Sequence, residues 1–280
     1  MNYNSLFTII TVCYNASETI ERTIKSVLNQ SNKDYEYLII DGASVDNTKE
    51  VCKKYIPLFD GRMKWLSEPD KGIYDAMNKG AKLASGRYLL FMNADDLLTE
   101  QSLNYYATAI NESSGDLDIL YGNTIVEYNH SGEVITKERK AYPQISLKTL
   151  MNGMGIVHQS MITSTDLFNR LGGFNINYPI GADWDFLIRS VKSNAKLHYI
   201  DKPVSVFNLS GASSFAHNKE RHRIRKDNNL YTFFDYGMVK DYLRPSYCLQ
   251  CVFGQKIYNM IRYCVNGKHR NTSQNSDFII

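Results

Sequence analysis

The sequence predicts an α/β fold in which helices flank a mostly parallel central sheet. Short β-branched apolar runs alternate with amphipathic helical patterns four times within about the first 100 residues. Alternation of this kind is typical of parallel strands joined by right-handed helical crossovers. Polar clusters follow the strand patterns, and ligands of such sheets bind beyond the carboxyl ends of the strands. We therefore expect the binding site at that edge of the sheet.

The first half of the chain contains four strand patterns and three helical patterns. The predicted strands cover residues 7–13, 37–40, 63–66 and 87–92. The predicted helices cover about 20–28, 47–55 and 73–84. The candidate N-caps of the first two helices are Asn15, Ser17, Asp46 and Asn47. The side chains expected to face the core from the third helix are Ile73, Met77, Ala81, Leu83 and Ala84.

The second half of the chain is less regular. Strand patterns occur in a hairpin over 118–139 that turns at 129–132, at 159–163, and as two short strands over 197–207. Short helices are predicted at 147–151, 164–171 and 183–193. Basic and aromatic residues interleave beyond about 216. We therefore divide the chain into a domain over 1–215 and a helical C-terminal extension over 216–280.

Composition and charge limit the class of protein. The chain has 280 residues and a formal net charge of +3, which is too weak to indicate a nucleic-acid partner. The N-terminus lacks a signal-peptide pattern, and no run of about 18 apolar residues occurs, so we expect no membrane span. Five scattered cysteines do not resemble a disulfide framework, and Cys248-x-x-Cys251 lacks the partners of a zinc site. A reducing cytoplasm is the expected location.

Polar residues at the strand ends allow two interpretations each. Asp95 and Asp96 could hold a divalent cation against phosphate oxygens, or they could cap a helix that begins near Thr99. The neighbouring polar clusters favour the cation. Asp41 could accept the imide N–H of a uracil or form an ordinary Asp-Gly turn. No Gly-x-Gly-x-x-Gly and no Gly-x-x-x-x-Gly-Lys-Ser/Thr motif occurs, so a Rossmann dinucleotide site and a P-loop are not expected.

A second polar cluster opens the helix predicted at 183–193. One of Asp183 and Asp185 is expected to be the N-cap, and the other could act as a general base. Trp184 could stack on a sugar ring or pack in the core. His158 and His217 could each bind a metal, contact an acceptor or lie on the surface.

Seven segments, taken together, resemble family 2 glycosyltransferases with the GT-A fold. They occur in the family's order and spacing over about residues 6–215, which makes the combination specific although each segment alone is weak. The segments cover residues 9–15, 39–48, 67–80, 91–96, 155–159, 172–174 and 182–185. The stretch Glu68-Pro-Asp-Lys-Gly-Ile-Tyr-Asp-Ala-Met-Asn78 is similar to a subgroup that builds O-antigen and capsule repeat units.

This resemblance implies a nucleotide-binding half over about 1–97 and an acceptor half over about 98–215. The residues that it assigns to the nucleotide are Thr11, Tyr14, Asn15, Asp41, Asp70, Gly72, Asn93 and Ala94. It assigns Mn²⁺ or Mg²⁺ to Asp95, with Asp96 and His217 as further metal candidates. Asp183 matches the inverting catalytic base, and the residues expected near the donor and acceptor sugars are His158, Trp184 and Asp185.

The resemblance also implies an activity and a place for it. The expected reaction moves one sugar from a UDP-sugar to a lipid-diphosphate-linked glycan at the cytoplasmic face of the bacterial inner membrane. The chain lacks the Gln-x-x-Arg-Trp stretch of processive synthases, so we expect one transfer per encounter. The extension over 216–280 mixes aromatic, apolar and basic residues, so we expect it to contact the membrane surface, or to pack back on the domain or on the second subunit of a homodimer.

Two residues depart from the family pattern. Asn93 replaces the first Asp of the family's Asp-x-Asp, and Ala182 replaces the Glu that often precedes the base. These departures leave open a non-catalytic homologue that binds UDP or glycan in an assembly complex. A sugar nucleotidyltransferase is a further alternative, although the Gly-rich, Arg-containing loop that it requires after the first strand is missing.

Overall fold

The computed structural model describes residues 3–113, 117–130, 133–151, 153–209 and 218–230. His217 and the region beyond Leu230 lie outside these residues. The predicted metal role of His217 and the predicted membrane or subunit contact of the extension therefore stay predictions. Within the described ranges, no helix combines the length and the apolar character needed to cross a membrane.

The strands of the described residues form one nine-stranded sheet. Their order across the sheet is β3-β2-β1-β4-β8-β6-β9-β5, and β7 pairs with β6. The strands are β1 Ser5–Cys13, β2 Tyr35–Asp41, β3 Met63–Ser67, β4 Gly86–Asn93, β5 Leu97–Leu98, β6 Ile119–His130, β7 Glu133–Arg139, β8 Met161–Ser164 and β9 Leu197–Asn208.

The helices connect and flank these strands. They are α1 Ile20–Leu28, α2 Thr48–Tyr55, α3 Ile73–Leu83, α4 Ser102–Glu112, α5 Leu147–Leu150, α6 Thr165–Arg170, α7 Ala182–Lys192 and α8 Asn218–Asp227. Two 3₁₀ turns lie at Ile56–Phe59 and His158–Ser160. The alternation of strands and helices that the first half predicted is confirmed.

Strands β1, β2, β3 and β4 all run parallel to one another. β1 pairs in parallel with both β2 and β4, and β2 pairs in parallel with β3. The register sets Cys13 opposite Asp41 and Val12 opposite Asn93. The carboxyl ends of three strands therefore meet at one edge, as the sequence predicted.

The second half of the sheet mixes both directions. β8 runs antiparallel to β4 and β6, β5 runs antiparallel to β9, and β7 runs antiparallel to β6. Only β6 and β9 form a parallel pair among these strands of the described chain. The predicted mostly parallel sheet is thus correct for the first half of the chain, whereas the second half mixes parallel and antiparallel pairs.

Two apolar cores cover the two faces of the sheet. Side chains of a strand alternate between faces, so Ile10 and Val12 of β1 face one core while Phe7 and Ile9 face the other. Helices α3, α6 and α7 contribute to the first core, and α1, α2 and α4 to the second. Each fully buried Ile or Phe contributes about 1.5–3 kcal/mol of transfer free energy.

Some predicted details of the helices are wrong. The side chain of Asn15 does not cap α1 but accepts a hydrogen bond from Val45 N, at 2.9 Å. Asp46 Oδ1 accepts from Thr48 N at the start of α2, in line with the prediction. Ile73 and Leu83 were expected to face the core, yet they are 38% and 52% exposed because they lie at the two ends of α3.

The predicted domain boundary at 215 lies too early. One compact unit runs over Met1–Leu230 and therefore includes α8. Buried Ile224 and Leu230 belong to the same core as α7. The residues over 218–230 are part of the domain and not of an extension.

Gly86 begins β4 where no side chain fits. A Cβ there would lie 2.5 Å from the carbonyl carbon of Phe7 and 2.6 Å from Thr8 N, which are backbone atoms and cannot rotate away. A Cβ on Gly80 of α3 would instead meet side-chain carbons, Ile10 Cγ2 at 2.5 Å and Ile40 Cγ1 at 3.1 Å. No backbone atom is in the way, and alanine is favoured over glycine in a helix by about 1 kcal/mol, which offsets part of the cost of moving these side chains.

We therefore expect Gly86→Ala to lower the free energy of unfolding by about 2 kcal/mol or more, and Gly80→Ala by clearly less. Urea denaturation at matched m-values measures both variants. An equal or smaller loss for Gly86→Ala would contradict the tight contact between β4 and β1.

Candidate active site

A pocket of about 570 Å³ opens at the carboxyl ends of β1 and β4. Its wall combines four loops or strand ends that are distant in the sequence. The residues that line it are Val12, Cys13, Tyr14, Asn15, Ala16, Thr19, Asp70, Gly72, Ile73, Ala76, Asn93, Ala94, Asp95, Phe207 and Asn208. Six of the eight residues assigned to the nucleotide lie in this wall, together with Asp95.

The loop after β1, which lines the pocket, is hydrogen-bonded to the segment that follows β2. Asn15 N donates to Ser44 Oγ at 2.8 Å, and Ala16 N donates to Thr48 Oγ1 at 2.8 Å. Asn15 and Ala43 both have left-handed backbone angles, with φ of 48° and 63°. Such conformations are strained for residues other than glycine and concentrate at functional sites. The cross-bonds hold the loop after β1 in the shape that lines the pocket.

Tyr14 and Asp70 stand at the mouth of the pocket against Gly42. Tyr14 is 64% exposed, so one face of its ring is open to a flat ligand. A Cβ on Gly42 would lie 2.5 Å from Asp70 Oδ2 and 3.5 Å from the Tyr14 ring. Only glycine at position 42 lets both side chains approach. Asp70 Oδ1 also accepts from Gly72 N at 2.8 Å, which shapes the turn before α3.

Thr11 and Asp41 do not line the pocket, contrary to their predicted contact with the nucleotide. Thr11 is fully buried, and its Oγ1 accepts a hydrogen bond from the hydroxyl of Tyr37 at 3.0 Å. The Asp41 carboxylate is 1% exposed and accepts from Ser67 Oγ at 2.5 Å and from the amide and hydroxyl of Ser44. Asp41 shapes the turn after β2, which corresponds to the alternative considered from the sequence.

Asn93 and Asp95 form the acidic side of the pocket. Asn93 Oδ1 is a buried acceptor with no hydrogen-bond partner among the described residues. Burial raises the pKa of Asp95. The lining residues that the structure describes include the carboxylates of Asp70 and Asp95 but no lysine or arginine. A diphosphate would be repelled here unless a cation neutralised it.

The donor set fits a divalent cation that also binds the ligand. Among the described residues, no three His, Cys, Asp or Glu side chains are grouped so that they could hold a metal by themselves. Mg²⁺ commonly uses only one or two carboxylates, waters and phosphate oxygens. Asp95 and the unpaired oxygen of Asn93 fit that arrangement.

Asp96 is not placed to bind the metal, so this part of the metal prediction is corrected. Its side chain is fully buried and points to protein donors. Oδ2 accepts from Gln159 Nε2 at 2.5 Å and Asn93 Nδ2 at 3.0 Å, and Oδ1 accepts from Asn208 N at 3.0 Å. Burial raises the pKa of Asp96 to about 7, and these three donors oppose the shift. The alternative helix cap is also wrong, because β5 follows and α4 begins only at Ser102.

Asp183 lies in the first turn of α7 beside His158. The two side chains are mostly buried, and His158 Nδ1 lies 3.8 Å from Asp183 Oδ2. Burial lowers the pKa of His158, while the charge of Asp183 opposes that change. His158 Nε2 is buried and has no partner among the described residues. The imidazole is therefore a neutral neighbour of the Asp183 carboxylate.

Tyr74 holds the chain just before Asp183. Its hydroxyl donates to Ile180 O at 2.6 Å. Burial raises the pKa of Tyr74 well above its usual value, and the charges of Asp183 and Glu220 raise it further. The phenol remains protonated and acts as a donor.

Trp184 and Asp185 are buried and bonded to other parts of the protein, which does not fit their predicted sugar contacts. Trp184 is 5% exposed, and its Nε1 donates to Leu150 O at 3.1 Å. Asp185 is 3% exposed and accepts from Arg189 Nε at 2.7 Å and from Asn228 Nδ2 at 2.7 Å. Neither Asp183 nor Asp185 is the N-cap, since α7 is capped at Gly181.

Two short paths of contacts join Asp183 to the pocket, although Asp183 is not part of the pocket wall. Ile73 lines the pocket, and the next residue, Tyr74, contacts the segment before Asp183. Along the second path, Asp96 follows the lining residue Asp95 and accepts a hydrogen bond from Gln159. His158, which precedes Gln159, contacts Asp183. Asp183 thus belongs to a second cluster that adjoins the pocket.

Several lining residues were missed in the sequence. Phe207 and Asn208 end β9, a strand whose pattern carries no polar cluster of the kind that marked the others. Asn208 N donates a hydrogen bond to Asp96, and this bond holds the end of β9 at the pocket. No sequence signal indicates that contact, because the two residues are distant along the chain.

A larger recess of about 720 Å³ lies between α3 and the loop after α6. Its polar groups already serve the fold. Arg189 donates to Leu171 O and Gly173 O, and Asn78 exchanges two hydrogen bonds with the backbone of Phe174. The smaller pocket is the better candidate site.

The family model for glycosyl transferase family 2 matches residues 8–172, which is more than half of the chain. The chain belongs to glycosyl transferase family 2. This result confirms the resemblance inferred from the seven segments.

Relatives of this family 2 glycosyltransferase agree with that assignment. A PGL/p-HBAD biosynthesis glycosyltransferase of Mycobacterium tuberculosis is 31% identical over 75% of this chain and 79% of that protein. A UDP-Glc:alpha-D-GlcNAc-diphosphoundecaprenol beta-1,3-glucosyltransferase, WfgD of Escherichia coli, is 32% identical over 59% of this chain and 62% of that protein.

Solved structures share the fold. S. aureus TarS 1–349 in complex with UDP-GlcNAc aligns with a TM-score of 0.64 and 17% identity, over 94% of this chain and 77% of that chain. The mannosyltransferase PcManGT of Pyrobaculum calidifontis, in complex with GDP-Man and Mn²⁺, aligns with a TM-score of 0.63 and 13% identity, over 96% and 82%. The chain spans only 44% of a longer S. aureus TarS chain. These likenesses confirm the GT-A fold.

Removal of Asp95 and removal of the adjacent Asp96 should change the free energy of unfolding by very different amounts. Asp96→Ala leaves three donors without an acceptor, so we expect the free energy of unfolding to fall by about 2 kcal/mol or more. Asp95→Ala removes a carboxylate from the pocket wall and should change it by less than about 1 kcal/mol. Chemical denaturation measures both, and equal losses would show that the two side chains are not divided in this way.

Proposed function

We propose that the protein transfers a sugar from a UDP-sugar to a hydroxyl of a lipid-diphosphate-linked glycan, with inversion at the anomeric carbon. One observation carries this proposal. A nucleotide-sized pocket with an acidic wall adjoins a carboxylate at the start of α7, and separate elements of the chain build the two parts. Such a division suits a reaction that holds a leaving group on one side and deprotonates a nucleophile on the other.

The pocket supplies groups of the right kind for a nucleoside diphosphate. The exposed ring of Tyr14 can stack on the base, and Asn15 offers polar atoms next to it. Asn93 and Asp95 lie farther along the wall, where the diphosphate would follow. A divalent cation bound there by Asp95, Asn93 and the phosphate oxygens would neutralise negative charge on the leaving diphosphate.

Asp183 would act as the general base. The acceptor hydroxyl oxygen attacks the anomeric carbon and forms the new glycosidic bond. The bond between that carbon and the diphosphate oxygen breaks, and its electron pair leaves with UDP. The hydroxyl proton passes to a carboxylate oxygen of Asp183, whose neighbour His158 is neutral and does not compete as an acid.

The substrates follow from the relatives. WfgD is described as transferring glucose from UDP-Glc to an acceptor linked to diphosphoundecaprenol. The Glu68–Asn78 stretch resembles enzymes of the same kind of pathway, so a lipid-linked acceptor at the cytoplasmic face of the inner membrane is the proposed partner. The candidate donors are UDP-glucose, UDP-galactose and their N-acetyl forms.

Replacement of the base tests the reaction. Asp183→Asn keeps the size of the side chain but cannot take the proton, so we expect turnover to fall at least about 100-fold. The assay measures UDP released from the four candidate UDP-sugars, with water or a GlcNAc-diphosphate-lipid as acceptor. Asp60→Asn, which removes an exposed carboxylate far along the chain, is the charge-matched control. Turnover of Asp183→Asn near that of the parent would remove Asp183 from this role.

Binding of UDP tests the cation site separately. We expect Mn²⁺ to tighten UDP binding to the parent protein at least about 10-fold, since a cation offsets repulsion between the diphosphate and the acidic wall. Asp95→Asn should lose this enhancement and keep the weak binding seen without metal. Isothermal titration calorimetry with and without Mn²⁺ measures it. An unchanged enhancement in Asp95→Asn would contradict a cation site at Asp95.

A further inference from the structure

The start of the helix that carries Asp183 depends in part on an acceptor from a distant residue. The N-cap position of α7 is Gly181, which has no side chain to accept from the free amides of the first turn. The side chain of Asp183 accepts from Trp184 N at 2.7 Å, so one of its oxygens is used locally. The amides of Ile180 and Gly181 need an acceptor from elsewhere in the fold.

Glu220 of α8 supplies that acceptor. Its Oε1 accepts from Ile180 N at 2.9 Å and from Gly181 N at 2.6 Å. A carboxylate at a helix N-terminus is also favoured by the helix dipole. A Cβ on Gly181 would lie 2.8 Å from Ile224 Cδ1 and 3.4 Å from Glu220 Oε1, so both side chains of α8 reach the N-cap position. α8 therefore approaches the start of α7 closely.

The rest of α8 is fastened to α7 at several points. Asn228 Nδ2 donates to Asp185 Oδ1 at 2.7 Å. The guanidinium groups of Arg221 and Arg225 lie 5.4 and 5.5 Å from the centre of the Trp184 ring. Arg225 Nη2 also donates to Met151 O at 2.6 Å. Because these contacts fix α8 on α7, the carboxylate of Glu220 has a defined position.

Three distant parts of the chain thus converge on the residues just before and at Asp183. Tyr74 holds the carbonyl of Ile180, and Glu220 holds the amides of residues 180 and 181. His158 lies against the carboxylate of Asp183 itself. Of these, Glu220 lies beyond the residues 8–172 that the family model matches.

We propose that Glu220 is a positioning residue that sets the place of Asp183 for proton transfer. This inference rests on the proposed role of Asp183 as the base. Catalytic groups must be held within about 0.5 Å of their productive place, and an error of about 1 Å can cost about 100-fold in rate. Loss of the Glu220 acceptor would release the backbone just before Asp183. The pocket wall shares no residue with this contact and would stay intact.

Substitutions of Glu220 separate turnover from binding. We expect Glu220→Ala to lower kcat at least about 10-fold, with KM for the UDP-sugar and Kd for UDP unchanged within about twofold. Glu220→Gln keeps an oxygen that can accept hydrogen bonds from the same two amides, so we expect kcat to stay within about threefold of the parent. Lys226→Ala changes an exposed residue of the same helix and should leave both kinetic constants unchanged. Turnover is measured as UDP release from the UDP-sugar that is most active among the four candidates.

A shorter acid covers the case in which Glu220→Ala does not fold. Glu220→Asp keeps the charge but removes one methylene, so its carboxylate falls short of the two amides. We expect the same loss of kcat at a Tm close to that of the parent. Parental kcat in every soluble variant of Glu220 would overturn the inference.

A double-mutant cycle decides whether Glu220 acts through Asp183. If it does, Glu220→Ala has no further effect on the residual kcat of Asp183→Asn. If the two losses multiply, Glu220 acts by another route and the inference is wrong. Parental turnover in Asp183→Asn would refute the base, and with it this inference. A low kcat in Asp183→Asn with parental kcat in Glu220→Ala would refute the positioning role alone.

Discussion

The buried carboxylate of Asp96 is the interaction on which the arrangement of the site depends. It accepts hydrogen bonds from Asn93 at the end of β4, from Gln159 in the 3₁₀ turn, and from the amide of Asn208 at the end of β9. Its backbone carbonyl also accepts from Thr23 Oγ1 of α1 at 2.9 Å. Burying a carboxylate costs free energy, and these donors compensate for part of it. Four elements are therefore kept together at the point where the pocket meets the second cluster.

The chemistry of the site follows from a separation of charges. The pocket carries Asp70 and Asp95 without a lysine or arginine among its described lining residues, so it favours a cation together with an anionic ligand. The second cluster instead pairs a carboxylate with a neutral imidazole. Asp96 lies between the two and faces neither a ligand nor solvent. In the proposed reaction, one part would stabilise the leaving diphosphate while the other takes a proton.

Local patterns were reliable where burial alone decides the structure. The β-branched run over residues 7–13 became a strand whose residues alternate between two cores, as its composition requires. The same patterns failed for side chains whose partners are distant in sequence. Thr11 and Asp41 were expected at the nucleotide, but Tyr37 and Ser67 bind them inside the sheet. Spacing along the chain indicates which residues lie near a strand end, but it does not indicate which way each side chain points.

The sequence by itself determined the fold class, the family and the order of the polar clusters, because these depend on periodicity and on short segments of fixed spacing. It also identified seven of the fifteen residues in the pocket wall, since side chains at the ends of neighbouring parallel strands must meet. Only the tertiary structure decided that Asp95 lies in the pocket wall and that Asp96 is buried among protein donors, although the two residues are adjacent and chemically identical. It also brought α8 onto α7, so that Glu220 reaches Gly181 over a distance of 39 residues. Such choices are made by packing and by competition for hydrogen bonds between distant residues, which no local pattern records.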